Sequence, residues 1–323
     1  MNSAKSGSFK LALAQMQVAG GELDANLRRA ERMIAAAAHE AAQVVLLPEA
    51  LDLGWTSPVG RKLADTVPDG RACQAFRAAA RRHGIYVCAG LTERDGESVF
   101  NAAVFVSPAG DVLLHHRKLN ELDIGHAVYD QGDRLAVAHT PLAAFGLMIC
   151  ADGSVRGQVV ARTLGLMGAD IILSPSAWAV EPGHDNLKQP YGGMWRECYG
   201  AVARDYHLWI AGCSNVGRIE GGPWNGHPCI GCSLVVNPQG RPVLVGPYGE
   251  RAEKLLTIAI KPGPRPARGT GWENYWQKTD RISGEPGDAR PGAVLETRRP
   301  RRGQHSKTRR GRRVSRQRRD QNV

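Results

Sequence analysis

The sequence predicts an α/β fold built on a mixed sheet, and three observations lead there. Short apolar runs bounded by turn residues, such as 43–47 and 145–149, have the length and composition of buried strands. Between such runs lie segments with helical spacing, at 24–39, 71–83 and 156–168. One hairpin interrupts this alternation, because 99–106 and 111–118 both read as strands and are joined by Ser107-Pro108-Ala109-Gly110. Strand-helix alternation gives parallel pairs and the hairpin an antiparallel one, so the sheet is mixed.

Residues 9–18 read as the first strand, and an Ala-rich helix follows to about His39 with Asp24 as its N-cap. The run from Gln43 ends on Glu49, and Pro48 before it stops the strand ladder. A loop through Gly54 and Trp55 comes next, in which Trp55 either walls a pocket or simply packs. A helix over 71–83, a strand over 85–90 and the hairpin then lead to Lys118. The run from Phe145 ends on Cys150, and 156–168 carries Val159, Val160, Leu164 and Met167 on one helical face. The segment 179–193 is a loop of Gly, Pro and polar residues whose His184, Asp185, Lys188 and Tyr191 are specificity candidates. A helix over 194–207, a strand over 208–213, a hairpin around Asn237-Pro238-Gln239-Gly240 and a strand over 254–260 close the body. Cys229 and Cys232 have the C-x-x-C spacing, but no second pair of ligands stands at matching spacing, so they read as strand cysteines rather than a zinc half-site.

These elements divide the chain into a flexible N-terminus at 1–7, a folded domain at 8–262, an irregular extension at 263–296 and a disordered tail at 297–323. In the extension, Trp272, Tyr275 and Trp276 form an aromatic anchor for the core or for a partner subunit. The net charge of +11 points first to a nucleic-acid binder, but its distribution argues otherwise. From Thr297 onward there are 11 Arg and one Lys against Asp320 alone, so the tail accounts for the entire excess and the body is neutral. Weak, non-specific polyanion binding therefore belongs to 297–323 only. Seven cysteines without dense spacing fit a reduced, cytoplasmic setting. The polar N-terminus and the interruption of the apolar segment by Lys10 and Gln15 do not match a signal peptide, and no window matches a membrane span.

Three apolar runs thus each hand over a different ionisable residue at the C-terminal end of a strand, where α/β sheets place their ligands. Together Glu49, Lys118 and Cys150 make a toolkit for acyl transfer: a nucleophile, a general base and a cation for the oxyanion. A thiol between a strand and a helix is also favoured as thiolate by the helix N-terminus. Taken singly, each has a plainer reading: a small core cysteine, a capping carboxylate and a solvated strand-end charge.

The order and wording of the motifs add to this. Leu47-Pro48-Glu49, Arg117-Lys118, Ile149-Cys150-Ala151-Asp152 and the stretch from Gly168 through Ser174-Pro175-Ser176-Ala177-Trp178 resemble the carbon-nitrogen hydrolase (nitrilase) superfamily, amidase/carbamoylase-like branch. Ala14-Gln15, Ala203-Arg204, Ser214-Asn215-Val216-Gly217, Gly231-Cys232-Ser233 and the Asn237 turn fall in the same order, so the resemblance covers roughly residues 8–262. It implies a four-layer α-β-β-α sandwich, a Glu49-Lys118-Cys150 triad, an oxyanion held by Lys118 and the Ala151 N–H, no metal or organic cofactor, and a homodimer or larger assembly. It also implies a second glutamate in the loop before Gly132. The matching neighbourhood holds Gly125 and His126 instead, so either Glu121 or His126 takes that place. Glu121 ranks first, because a carboxylate near Lys118 keeps the ammonium charged. With Ala151 and Trp178 these are the substrate-binding candidates. Nitrile hydrolysers of the superfamily tend to carry tryptophan after the cysteine, where this chain has Ala151. A small amide or N-carbamoyl substrate is therefore expected, with a nitrilase, a catalytically silent member and a nucleic-acid binder as the alternatives.

Overall fold

A computed structural model describes residues 7–264. Its strands are β1 (Phe9–Gln15), β2 (Val44–Leu46), β3 (Tyr86–Asp95), β4 (Ser98–Val106), β5 (Val112–Arg117), β6 (Val137–His139) and β7 (Ala144–Leu147), followed by β8 (Ile171–Ser176), β9 (Trp209–Ser214), β10 (Val216–Arg218), β11 (Pro228–Ile230), β12 (Leu234–Val236), β13 (Pro242–Val245) and β14 (Lys254–Ile260). The α-helices are α1 (Leu23–His39), the single turn α2 (Gly60–Leu63), α3 (Arg71–His83), α4 (Val159–Met167) and α5 (Gly193–Tyr206).

Two six-stranded mixed sheets form, in the orders β14-β1-β2-β3-β4-β5 and β13-β12-β9-β8-β7-β6, with β10 and β11 as a separate ribbon. The sheets share one pattern. In the first, β1, β2 and β3 run parallel and β14, β4 and β5 add antiparallel partners. In the second, β7, β8 and β9 are the parallel trio and β6, β12 and β13 the antiparallel additions. Helices α1 and α3 connect the first trio, α4 and α5 the second. The expected four-layer α-β-β-α sandwich is thus two similar halves packed sheet to sheet.

Period-two patterning in β1 accounts for the two inner boundaries. Leu11 and Leu13 join the core between the sheets, while Ala12 and Ala14 join the core beneath α1 and α3. Because β1 is covered on both faces, its sequence reads as one apolar run. The inter-sheet core is centred on aromatics, with the Phe105 and Phe145 rings 4.7 Å apart. On α1 the buried positions are Asn26, Ala30, Ile34 and Ala37, one face at helical spacing.

Several local expectations change. Asp24 lies in the first turn of α1 and the N-cap position is Glu22, without a side-chain cap. The strand ending near Glu49 is only three residues long, because the chain leaves the ladder after Leu46. Cys150 opens a short 3-10 turn, Cys150–Gly153, and α4 starts only at Val159. Cys229 lies on β11 but Cys232 lies beyond it, and both are free thiols. Among the described residues no His, Cys, Asp and Glu group could hold a metal ion, and no helix is long and apolar enough to cross a membrane. The Trp272-Trp276 anchor and the 297–323 tail lie outside the described residues.

Candidate active site

Glu49, Lys118 and Cys150 follow β2, β5 and β7, and the structure gathers them at one end of the sandwich. The ends of corresponding strands in the two halves touch there, since the Glu49 N–H donates to the Ser176 carbonyl at 3.3 Å. Close backbone approach fixes the Glu49 turn. A Cβ on Gly90 of β3 would stand 2.6 Å from the Glu49 Cα and 2.7 Å from the Pro48 oxygen, so only glycine lets this turn lie against β3. Cys150 sits at φ 42°, in the left-handed region that non-glycine residues rarely adopt. Holding a side chain there costs on the order of 1–3 kcal/mol and aims it out of a tight strand-to-turn corner.

Lys118 lies between two carboxylates. Its Nζ donates to Glu49 Oε1 at 2.8 Å and to Glu121 Oε1 at 2.9 Å. Asn101 Nδ2 closes the arrangement by donating to Glu49 Oε1 at 2.7 Å and Glu121 Oε2 at 3.0 Å. All four side chains are buried. Glu49 Oε2 has no hydrogen-bond partner among the described residues. Of the two loop candidates, Glu121 is the one set against Lys118, and Gly125 makes room for it: a Cβ there would stand 2.5 Å from the Glu121 carboxyl carbon. His126 is exposed on the 3-10 turn Asp123–Ala127 and does not line the cavity described below.

The electrostatics follow from burial. Loss of solvent is the largest influence on Glu49 and raises its carboxyl above the ordinary value even though Lys118 opposes it. Burial pushes the Lys118 ammonium the other way, but the Glu49 and Glu121 carboxylates outweigh that and hold it well above the usual lysine range. Burial, followed by the Glu49 charge, raises the Cys150 thiol well above its usual value, against the influence of Lys118 and a backbone hydrogen bond from Ala177. Burial and the Glu49 charge thus disfavour the thiolate. The expectation of a thiolate stabilised by a helix N-terminus fails, because no α-helix begins at Cys150.

A second buried pair fastens the two loops together. Asp152 Oδ1 accepts from the backbone N–H groups of Leu119 at 3.0 Å and Asn120 at 2.7 Å. Its Oδ2 accepts from the Ile149 N–H at 2.9 Å and meets His116 Nε2 at 2.8 Å. Asn120 Nδ2 donates in turn to the Ala151 carbonyl at 2.7 Å. Despite burial, these partners hold the Asp152 carboxyl below the ordinary range.

Beside the sulfur is a cavity of about 140 Å³ lined by Trp55, Lys118, Leu122, Cys150, Ala177, Trp178, Ala179, Tyr191, Trp195 and Trp224. Trp178, a substrate-binding candidate, lines this cavity, and its buried indole N–H has no acceptor among the described residues. Ala151 is buried next to the sulfur. Of the four loop candidates only Tyr191 reaches this wall, where its hydroxyl accepts from Trp195 Nε1 at 3.0 Å. Asp185 and Lys188 pair with each other instead. Sequence reading did not single out Asn101, Asp152, His116, Trp195 or Trp224. Asn101 had a signal, as the lone polar side chain within 99–106.

The carbon-nitrogen hydrolase family model matches residues 10–264. A nitrilase from Pyrococcus abyssi is 32% identical over 195 residues, which is 56% of this chain and 66% of that protein. An omega-amidase NIT2 from Bos taurus is 31% identical over 212 residues, 61% of this chain and 74% of that protein. Among solved structures, an amidase from Nesterenkonia sp. aligns with TM-score 0.66 and 23% identity, covering 79% of this chain and 91% of that one. A CN-hydrolase superfamily protein from Xanthomonas campestris gives TM-score 0.66 at 18% identity over 90% and 100% of the two chains. At such identities the structural matches establish the shared fold.

Proposed function

Because the chain belongs to the carbon-nitrogen hydrolase family, whose reaction is hydrolysis of amide-type C–N bonds, we propose that it cleaves an amide or N-carbamoyl group through a thioester on Cys150. The observation that carries this reading is the buried Lys118 ammonium held at 2.8 and 2.9 Å by two carboxylates, on the wall of the cavity that Cys150 also lines.

The Cys150 sulfur adds to the substrate carbonyl carbon while Glu49 takes the thiol proton, and the carbonyl π electrons move onto oxygen. A neutral thiol beside a carboxylate of raised pKa suits this step, since the proton leaves the sulfur as the S–C bond forms. Lys118 and the Ala151 N–H hold the resulting oxyanion; Glu121 and Asn101 keep the ammonium in place. The tetrahedral adduct collapses with cleavage of the C–N bond, and the amine or ammonia departs with the proton that Glu49 carried. Water, deprotonated by Glu49, then attacks the thioester and releases the acid, and the proton returns to sulfur. Ala151, following the nucleophile, favours an amide over a nitrile. The expected assembly is a homodimer or larger homo-oligomer.

Ammonia release from amides, N-carbamoyl compounds and nitriles tests this. Wild type is expected to release ammonia, and Cys150→Ala to lose several orders of magnitude in rate. Equal release by both proteins rules out the cysteine mechanism.

A further inference from the structure

Building on the amidase reading, we infer that the acyl half of the substrate is apolar and bears no negative charge, so that half-amides of dicarboxylic acids are poor substrates. The cavity beside Cys150 is walled by indoles. Trp178 stacks on Trp195 with centroids 5.1 Å apart, and Trp55 meets Trp224 edge-on at 5.7 Å. Leu122 and Ala179 add aliphatic surface to the same wall. An apolar acyl group gains by leaving water for such a surface.

The charges point the same way. Among the described lining side chains Lys118 is the lone cation, and it is already shared by Glu49 and Glu121. Among the described residues no arginine lines the cavity to clamp a carboxylate. A second anion in this space would lose its hydration and meet one ammonium that two carboxylates already hold. It would also compete with the reaction's own oxyanion for that ammonium. The unpartnered indole N–H of Trp178 suits a neutral acceptor and neutralises nothing. A volume of about 140 Å³ fits a small branched or aryl acyl group.

The test compares kcat/KM of the purified full chain for 4-methylpentanamide and succinamate, which match in shape and differ in carrying an isopropyl group or a carboxylate. The neutral amide is expected to be favoured by about 100-fold, the scale of discrimination against an unpaired buried charge. Leu122→Arg, which places a cation on the cavity wall at a position 38% exposed, is expected to move that ratio toward succinamate by about 10-fold. Wild type that prefers succinamate, or that hydrolyses neither compound, overturns the inference. Acylation of Cys150 by smaller neutral amides separates that result from failure of the amidase reading, in which no amide acylates it.

Discussion

At the residue scale the proposed chemistry rests on where three protons reside. Glu49 is raised above the ordinary carboxyl value of 4.5, Cys150 is raised well above 9.0 and Lys118 well above 10.5. As a general base Glu49 acts only when deprotonated, so kcat/KM is expected to rise with pH through its raised value and to show its acid limb above pH 4.5. The Lys118 ammonium persists past pH 10.5, so its loss contributes no alkaline limb below that. A pH-rate profile checks both statements; an acid limb at or below pH 4.5 contradicts the role given to Glu49. Glu49, Lys118 and Cys150 were legible in the sequence because each ends an apolar run with an ionisable group. Glu121 was legible only as one of two candidates, since its claim depends on Gly125 leaving space that no pattern of spacing reveals. Asn101 escaped notice because one amide in an apolar strand looks like a tolerated exception, whereas its two hydrogens join two carboxylates.

At the scale of elements, what brings Cys150 and Lys118 together is the turn after β7 clamped to the loop after β5. Asp152 carries that clamp, accepting three backbone N–H groups and facing His116. Asp152→Asn is expected to cost about 3–5 kcal/mol in urea unfolding, the scale for breaking a buried pair by removing one partner. The Asp152 carboxyl is depressed in the fold, so its contribution is present above the ordinary value of 3.8 and is lost as pH falls through the lower folded value. An unfolding midpoint unchanged in the variant contradicts this assignment. Sequence patterning located most strands and helices to within a few residues, β14 and α3 among the best. It failed at the β2 end and at Cys150 for one reason: both segments leave regular structure early to form corners set by tertiary contacts, Gly90 behind Glu49 and Asp152 behind Cys150.

At the scale of the molecule the site exists because two similar halves meet. Each half delivers a strand end, and Glu49 of the first touches Ser176 of the second. The repeat was not legible, because the two parallel trios share a topology and not a motif. The sandwich itself entered through resemblance, since apolar runs declare burial but not which sheet they join. The net charge of +11 resides in the basic tail, and the body that forms the site is neutral. In the proposed reaction the substrate acylates Cys150. Acid-quenched turnover of 4-methylpentanamide followed by peptide mass mapping tests it most directly. An acyl adduct is expected on the Cys150 peptide in wild type and none in Cys150→Ala; hydrolysis in both proteins with no adduct on Cys150 rules out the thioester.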